Sequence, residues 1–451
     1  MISTTLAHLS PGRVIIAFTA FTILLGAALL ALPIARVDAV SWIDLLFTAT
    51  SSTCVTGMFT VPLTHFTTFG HTVILILMQV GGLGLITLTL FVLYMLFDLG
   101  FGTQLLAGQI LEIESWKQAR RILKYIMIIT LVSELCGAAL IFCSIKDMYP
   151  LGKALFLSLF HAVSCFCNAG ILLFDASHVH QLPYSYGLLA VSSALMITGS
   201  LGFITWIELY KKYRSWRQSK RFCFSLSSKI IFWSTLFLIT VPALLILILE
   251  HNNAFMHLSW PGKLINALSN SIALRSTGFL TVPVAEFSMA SLLVIMVISF
   301  IGAAPGSTGS GIKITTFAIV ATIVRSALAG RTAINIKGRR IPKDQVLKSV
   351  AILIINASAI IATTFVLLIT QLNSDFLDSL LEASSALTNL GLTTGLTETL
   401  LASSKIFIML GMIAGRIGSL TLVLAFRKQN AQAQAITAES ISYPEERIML
   451  G

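Results

Sequence analysis

The sequence predicts an all-α integral membrane protein: four repeats of helix–pore loop–helix around one central pore, eight transmembrane helices plus four pore helices. Three observations carry that reading. The 451-residue chain is 56% hydrophobic and only 11% charged, with a mean hydropathy of +0.89, whereas water-soluble domains carry about 25% charged residues. Eight apolar windows approach or exceed the about 20 residues that cross a bilayer, at 13–34, 68–97, 121–145, 186–210, 229–250, 288–325, 345–371 and 403–427. Between paired windows lie four short segments that end on glycine: Ser52 to Gly57, Cys165 to Gly170, Ala273 to Gly278 and Ala386 to Gly391. Subtracting successive numbers, these glycines sit 113, 108 and 113 residues apart.

Each element has a local reason. The first window is preceded only by Arg13 among basic residues and followed by Leu32-Pro33-Ile34-Ala35-Arg36. It is too long for the 7–15-residue core of a secretory leader and has no clear small-residue cleavage site, so a retained helix is expected, with no separate soluble domain at either end. Half-length helices are expected after Ser41, Pro150, Trp260-Pro261 and Asn373-Ser374, residues that open helices. Ser41-Trp42-Ile43-Asp44 reads as a capping box. Aligning the glycines places Phe47, Phe160, Leu268 and Leu381 ten residues upstream. Ser51, Ser164 and Ser385 fall six upstream, with Ile272 as the exception. The repeats then run 13–97, 121–213, 229–327 and 345–428, with a tail at 429–451.

The net charge of +11 is not a nucleic-acid signature, because it is lopsided. Arg13 and the basic residues within 117–124, 211–229, 325–348 and 427–447 make 22 of the 30 basic residues, all on one side. Arg36, Lys146, Lys153, Lys263 and Lys405 make five on the other. Positive charge marks the cytoplasmic face, so both termini are expected inside and the four glycine loops open outward. Asp38, Asp44, Asp147, Asp175, Glu250, Glu286, Asp375, Asp378, Glu382 and Glu398 fall on or near the outer side, where carboxylates would concentrate cations.

Non-helical backbone at membrane depth survives only where it lines a water-filled cavity or is packed in protein. Carbonyl oxygens freed after each half-helix can replace the water shell of a cation, and the negative end of each half-helix favours one. Close helix packing is the favoured reading for a single such glycine, but four in register point away from it. The sixth window is interrupted at Gly302-Ala-Ala-Pro-Gly-Ser-Thr-Gly-Ser-Gly311, whose four glycines and one proline cannot hold a helix. Such breaks mark ion pathways. A phosphate-cradling loop would need Lys directly after its last glycine, and Ile312 intervenes.

Glu134, Arg275, Lys313 and Arg416 are ionisable at membrane depth and are functional suspects. Arg416 would act as a gating group or electrostatic barrier. Arg275 would point away from the axis and brace the loops through carbonyls or carboxylates. Lys313 would snorkel or anchor the interrupted segment, and Glu134 reads equally as packing or function. His161 stands without a partner motif. Cys54, Cys136, Cys143, Cys165, Cys167 and Cys223 lack zinc-type spacing.

These residues together resemble the Trk/Ktr/HKT superfamily of potassium transporters over nearly the whole chain. Cys54-Val55-Thr56-Gly57 resembles the first filter strand. Phe160-His161-Ala162-Val163-Ser164 leading through Cys167 to Asn168-Ala169-Gly170 resembles the second. Arg275-Ser276-Thr277-Gly278-Phe279 is similar to the third and Thr388-Asn389-Leu390-Gly391-Leu392 to the fourth. Gly306-Ser307-Thr308-Gly309-Ser310-Gly311-Ile312-Lys313 and Gly415-Arg416-Ile417-Gly418-Ser419-Leu420-Thr421 match two further stretches. The chain starts directly with the first repeat, as in Ktr-type membrane subunits. Leu390 departs from the small hydroxylated residue common at its position, which bears on discrimination between potassium and sodium.

The resemblance implies potassium uptake through a four-loop carbonyl filter, with K+ bound at the backbone carbonyls of those strands. It implies an intramembrane gate formed by Gly302, Pro305, Gly306, Ser307, Thr308, Gly309, Ser310, Gly311, Lys313 and Arg416. It also implies a homodimer in the lipid bilayer of the bacterial inner membrane, and a cytosolic regulatory ring that alone binds nucleotide. Sodium coupling or weak selectivity, with Na+ as a further ion, is the alternative. A coupled transporter for another substrate is disfavoured, because four like repeats replace the usual two inverted halves. An intramembrane enzyme is disfavoured too, since no nucleophile–base pair or metal-ligand motif appears at membrane depth.

Overall fold

The computed structural model describes residues 11–83, 116–219, 222–331, 333–372 and 374–418. Residues 84–97, Lys220, Arg221, Asn373, Ser419 to Thr421, Arg427, Lys428 and the tail 429–451 lie outside the described residues.

Four long helices lead the four pairs of windows: α1 (Pro11–Leu30), α4 (Trp116–Ile145), α8 (Leu226–Glu250) and α12 (Lys343–Thr370). Among the described residues these four are long and apolar enough to cross a membrane. Each is followed by a half-length helix: α2 (Trp42–Cys54), α5 (Leu151–Cys167), α9 (Trp260–Ala273) and α13 (Phe376–Thr388). The α2 start is the expected capping box, with Ser41 Oγ accepting from the Asp44 backbone N–H and donating to its carboxylate at 2.6 Å. Helix α13 starts after Asp375, whose side chain makes no capping hydrogen bond.

The second window of each pair opens with a helix. These are α3 (Thr68–Gly82), α6 (Tyr186–Ser200), α10 (Met289–Ser299) and α14 (Ala402–Ile417). The window 186–210 is not one straight helix. After α6 the chain turns by 97° into α7 (Phe203–Arg217), because Gly202 takes φ 84°, a left-handed dihedral that side chains disfavour. The interrupted window resumes as α11 (Ile314–Leu328). Gly418 ends α14 with φ 93°. Among the described residues the all-α expectation has one addition, a two-residue ribbon pairing β1 (Asn335–Ile336) with β2 (Arg339–Arg340) through a Lys337-Gly338 turn.

Burial is distributed as a bilayer requires. Only 17–39% of each long window is buried, and α8 and α12 present Trp233, Phe237, Ile248, Ile361 and Phe365 outward. In water such an apolar surface would be a large exposed patch; lipid chains solvate it. By contrast, Phe47–Cys54 of α2, Phe160–Cys167 of α5 and Leu381–Thr388 of α13 are buried throughout. Each second helix packs on the half-length helix of the following pair: α3 on α5, α6 on α9, α10 on α13, and α14 back on α2. The last contact closes a ring.

Candidate functional site

The loops after α2, α5, α9 and α13 meet at the centre of that ring. Val55, Asn168 and Asn389, each two residues before its glycine, take the left-handed conformation (φ 58°, 60° and 54°). Asparagine accepts this state readily, whereas β-branched Val55 is an outlier of the kind found at functional sites. Ser51 holds the first loop by accepting from the Gly57 N–H at 3.1 Å. Ser164 does the same for Ile171 at 2.8 Å and donates back to its carbonyl. Ser385 lacks such a bond, and at Ile272 none is possible. In the third loop Asn270 takes over, its Oδ1 accepting from the Thr281 N–H at 3.0 Å and hydroxyl at 3.1 Å. Sequence alignment missed Asn270; the signal was a buried amide in an apolar helix.

The four glycines are tied in a cycle. A Cβ on Gly57 would lie 2.3 Å from the Ala169 carbonyl oxygen, and one on Gly170 would lie 1.9 Å from that of Thr277. On Gly278 it would meet the Leu390 oxygen at 1.8 Å, and on Gly391 the Thr56 oxygen at 2.1 Å. Each oxygen belongs to the residue just before the next loop's glycine, so four carbonyls and four glycines form one closed girdle. All four glycines have positive φ. Side chains stitch the girdle in two places. Thr277 Oγ1 donates to Asn168 Oδ1 at 2.7 Å, and Asn389 Nδ2 donates to Thr56 Oγ1 at 2.7 Å.

Leu390 contributes its carbonyl to this girdle while its side chain is buried in an apolar cluster with Leu274, Leu381 and Leu392. Cys54 and Cys167 close α2 and α5 and are buried. Thr388 ends α13, its hydroxyl donating to the Ser384 carbonyl at 2.8 Å. Cys167 Sγ lies 3.8 Å from Gln79 and 4.0 Å from Glu134, so Glu134 sits behind the second loop. His161 is packed and bonded, with Nε2 2.9 Å from Ser192 Oγ and its ring against Phe174 and Phe279.

Arg275 differs from expectation. It is fully buried, yet Nε, Nη1 and Nη2 have no hydrogen-bond partner among the described residues. Among the described residues it hydrogen-bonds no carbonyl or carboxylate; the buried carboxylate of Glu382 accepts from the Thr393 and Thr397 hydroxyls.

Residues 300–313 form a compact hairpin against the loops. Gly302 N–H donates to Ile312 O at 2.9 Å and Ala303 N–H to Ser310 O at 3.2 Å. Lys313 Nζ caps the Gly309 carbonyl at 2.8 Å and so anchors the segment. Arg416 reaches from α14 to the Thr308 carbonyl at 2.5 Å, Ser310 Oγ at 2.9 Å and, by a further bond, the Gly81 carbonyl. Thr308 Oγ1 donates to Phe166 O at 2.9 Å and accepts from Asn168 Nδ2 at 2.7 Å. Ser276 Oγ accepts from Ser310 N–H at 2.9 Å. Ser307 Oγ turns back on Ala304 O at 2.6 Å, and the Gly306 carbonyl accepts from Phe203 N–H at 2.8 Å. Pro305 is exposed. The hairpin is therefore bonded to the second loop, the third loop and Arg416 at once.

The expected acidic outer field is thinner than the sequence suggests. Glu250 and Glu382 are buried. Glu250 accepts from the Ser288 N–H at 2.9 Å and hydroxyl at 2.7 Å, capping α10. Asp44 pairs with Lys405 at 2.5 Å and Asp175 with Lys153 at 2.9 Å.

Comparison with known proteins places the chain among cation transport proteins. The profile of the TrkH family, described as cation transport protein, matches residues 14–437. The Ktr system potassium uptake protein B of Bacillus subtilis (strain 168) is 32% identical over 98% of this chain and 97% of its own. The protein of that name from Vibrio alginolyticus is 34% identical over 97% and 94%. The potassium/sodium uptake protein NtpJ of Enterococcus hirae is 31% identical over 98% of each. The crystal structure of the potassium transporter TrkH from Vibrio parahaemolyticus superposes with a TM-score of 0.69 at 19% identity, over 92% of this chain and 84% of that one; this shows a shared fold. The chain belongs to the TrkH family of cation transport proteins, within the Trk/Ktr/HKT superfamily, and has the character of a Ktr-type membrane subunit.

Proposed function

We propose that the chain takes up potassium across a bacterial plasma membrane through the centre of the loop ring, moving the ion down its electrochemical gradient with no covalent chemistry. One observation carries this: the closed girdle in which the Thr56, Ala169, Thr277 and Leu390 carbonyls each abut the next loop's glycine. Carbonyl rings replace the hydration shell of a cation, and relatives along the whole chain are named for potassium uptake. The filter comprises Cys54 to Gly57, Cys167 to Gly170, Arg275 to Gly278 and Thr388 to Gly391. The hairpin from Gly302 to Gly311, with Lys313 and Arg416, forms the gate beneath it. Both termini face the cytoplasm, chains pair as homodimers, and a cytosolic nucleotide-binding ring regulates them; the inside-positive charge and the Ktr-type resemblance support these points.

A second reading, sodium-coupled or weakly selective transport, is favoured by the relative named for both potassium and sodium and by Leu390. Rubidium and sodium flux into proteoliposomes, with Gly278→Asp alongside, separates the readings. Rubidium uptake blocked by potassium but not by sodium, and absent in the variant, is expected. Equal block by sodium would keep the pore and overturn its selectivity.

A further inference from the structure

Helix α7 straddles the end of the window 186–210 and the basic segment after it, which the sequence reads as a span and a linker. It leaves α6 at 97°, so with α6 crossing the bilayer α7 lies along its plane. Two contacts fix its depth. Glu208 accepts from the Ser225 backbone N–H at 3.1 Å, and Ser225 is the cap of α8, whose span begins at the next residue. Tyr210 packs on Tyr125 with ring centroids 6.0 Å apart, and Tyr125 lies just inside the α4 window that opens at Leu123. Both contacts mark the same membrane boundary.

Beyond this point the helix carries Lys211, Lys212, Arg214 and Arg217, all exposed, interleaved with Tyr213 and Trp216. Trp216 is 75% exposed and Tyr213 54%. Among the described residues no carboxylate lies within ion-pair distance of the four cations. Glu208, the only acid in α7, already serves Ser225. Tyrosine and tryptophan settle at headgroup level, and basic side chains there are drawn to anionic lipid. We infer that α7 is an interfacial helix that binds anionic phospholipid headgroups through Lys211, Lys212, Arg214 and Arg217, and that this contact steadies the gating hairpin. The link is direct. Phe203 N–H, in the first turn of α7, donates to Gly306 O at 2.8 Å; beside it Ala304 N–H donates to Ser200 O and Thr308 N–H to Gly199 O, each at 3.1 Å. A Cβ on Gly202 would lie 2.7 Å from the Pro305 carbonyl.

The headgroup site stands without the proposed function; only its link to gating rests on that reading. The test uses the full chain and its K211Q/K212Q/R214Q/R217Q variant in bilayers of phosphatidylcholine, alone or mixed with phosphatidylglycerol. Two quantities are read: phosphatidylglycerol retained per chain after detergent extraction, and rubidium uptake. The variant is expected to melt as the wild type does and to retain at least tenfold less phosphatidylglycerol, with phosphatidylcholine unchanged. Wild-type uptake is expected to change several-fold on adding phosphatidylglycerol, and variant uptake to stay flat. Equal phosphatidylglycerol retention by both proteins overturns the site, as does a variant that keeps the lipid and instead loses a cytosolic protein partner. Equal lipid dependence of uptake in both proteins overturns the link to the gate. Absence of uptake in every bilayer counts against the transport reading, while retention still decides the headgroup site.

Discussion

Gly278 shows how little freedom a single position at the centre retains. Its φ of 66° disfavours any side chain, and a Cβ would overlap the Leu390 carbonyl at 1.8 Å. Gly278→Ala is therefore expected to abolish potassium-blockable rubidium uptake; wild-type uptake in this variant would remove the girdle from the pathway. Arg275 poses the opposite problem, a buried guanidinium with no hydrogen-bond partner among the described residues. Replacing a buried ion pair by apolar side chains of similar volume is often neutral or stabilising by about 1–4 kcal/mol, and an unpaired guanidinium has no Coulombic gain to lose. Arg275→Met should raise the melting temperature in detergent and lower cation flux. A variant that melts lower would mean that the guanidinium is structurally satisfied in the assembled protein.

Among elements, the hairpin from Gly302 to Gly311 is held by more hydrogen bonds than a freely moving flap needs. Arg416 supplies two of them, and a third bond ties its guanidinium to the Gly81 carbonyl. A hydrogen bond to a charged group contributes about 1.5–3 kcal/mol, and 1.4 kcal/mol is about a tenfold change in an equilibrium. Arg416→Gln is thus expected to raise rubidium flux about tenfold or more by freeing the hairpin. Unchanged flux would place the gate elsewhere. Thr308 ties the same hairpin to Phe166 and Asn168, so Thr308→Val, which keeps the volume and removes the hydroxyl, should raise flux by a smaller factor. A fall in flux would show that this contact supports the conducting state.

At the scale of the molecule, the ring closes where α14 returns to α2, and Asp44 sits at that seam. Burial pushes the Asp44 carboxyl upward, but Lys405, Ser41 and Thr60 hydrogen-bond its charged form and together hold it below the ordinary 3.8. A depressed carboxylate stabilises the folded state above its unfolded value, and that contribution is lost as pH falls through the folded value. Melting temperature in detergent should therefore drop below about pH 4, and Asp44→Asn should lower it at pH 7 while flattening the acid limb. An acid limb equally steep in the variant would assign the loss to other groups.

The sequence by itself determined the membrane class, the four glycine-ended loops, the capping box at Ser41 and the break at Gly302 to Gly311. These are local: apolar length, glycine dihedrals and cap chemistry act within a few residues. Family membership was legible for the same reason, in Cys54 to Gly57 and in Gly306 to Lys313. What only the tertiary structure decided involves partners far apart in the chain. The pairing of Gly391 with Thr56, of Arg416 with Gly81 and Thr308, and of Asp44 with Lys405 depends on closure of the ring, which no local pattern encodes. The same holds for the lone guanidinium of Arg275 and the burial of Glu382, which the sequence reads as charge at an outer mouth. The turn at Gly202 follows from the hairpin packed against it, since a single glycine inside an apolar window is as compatible with a straight helix as with a bent one.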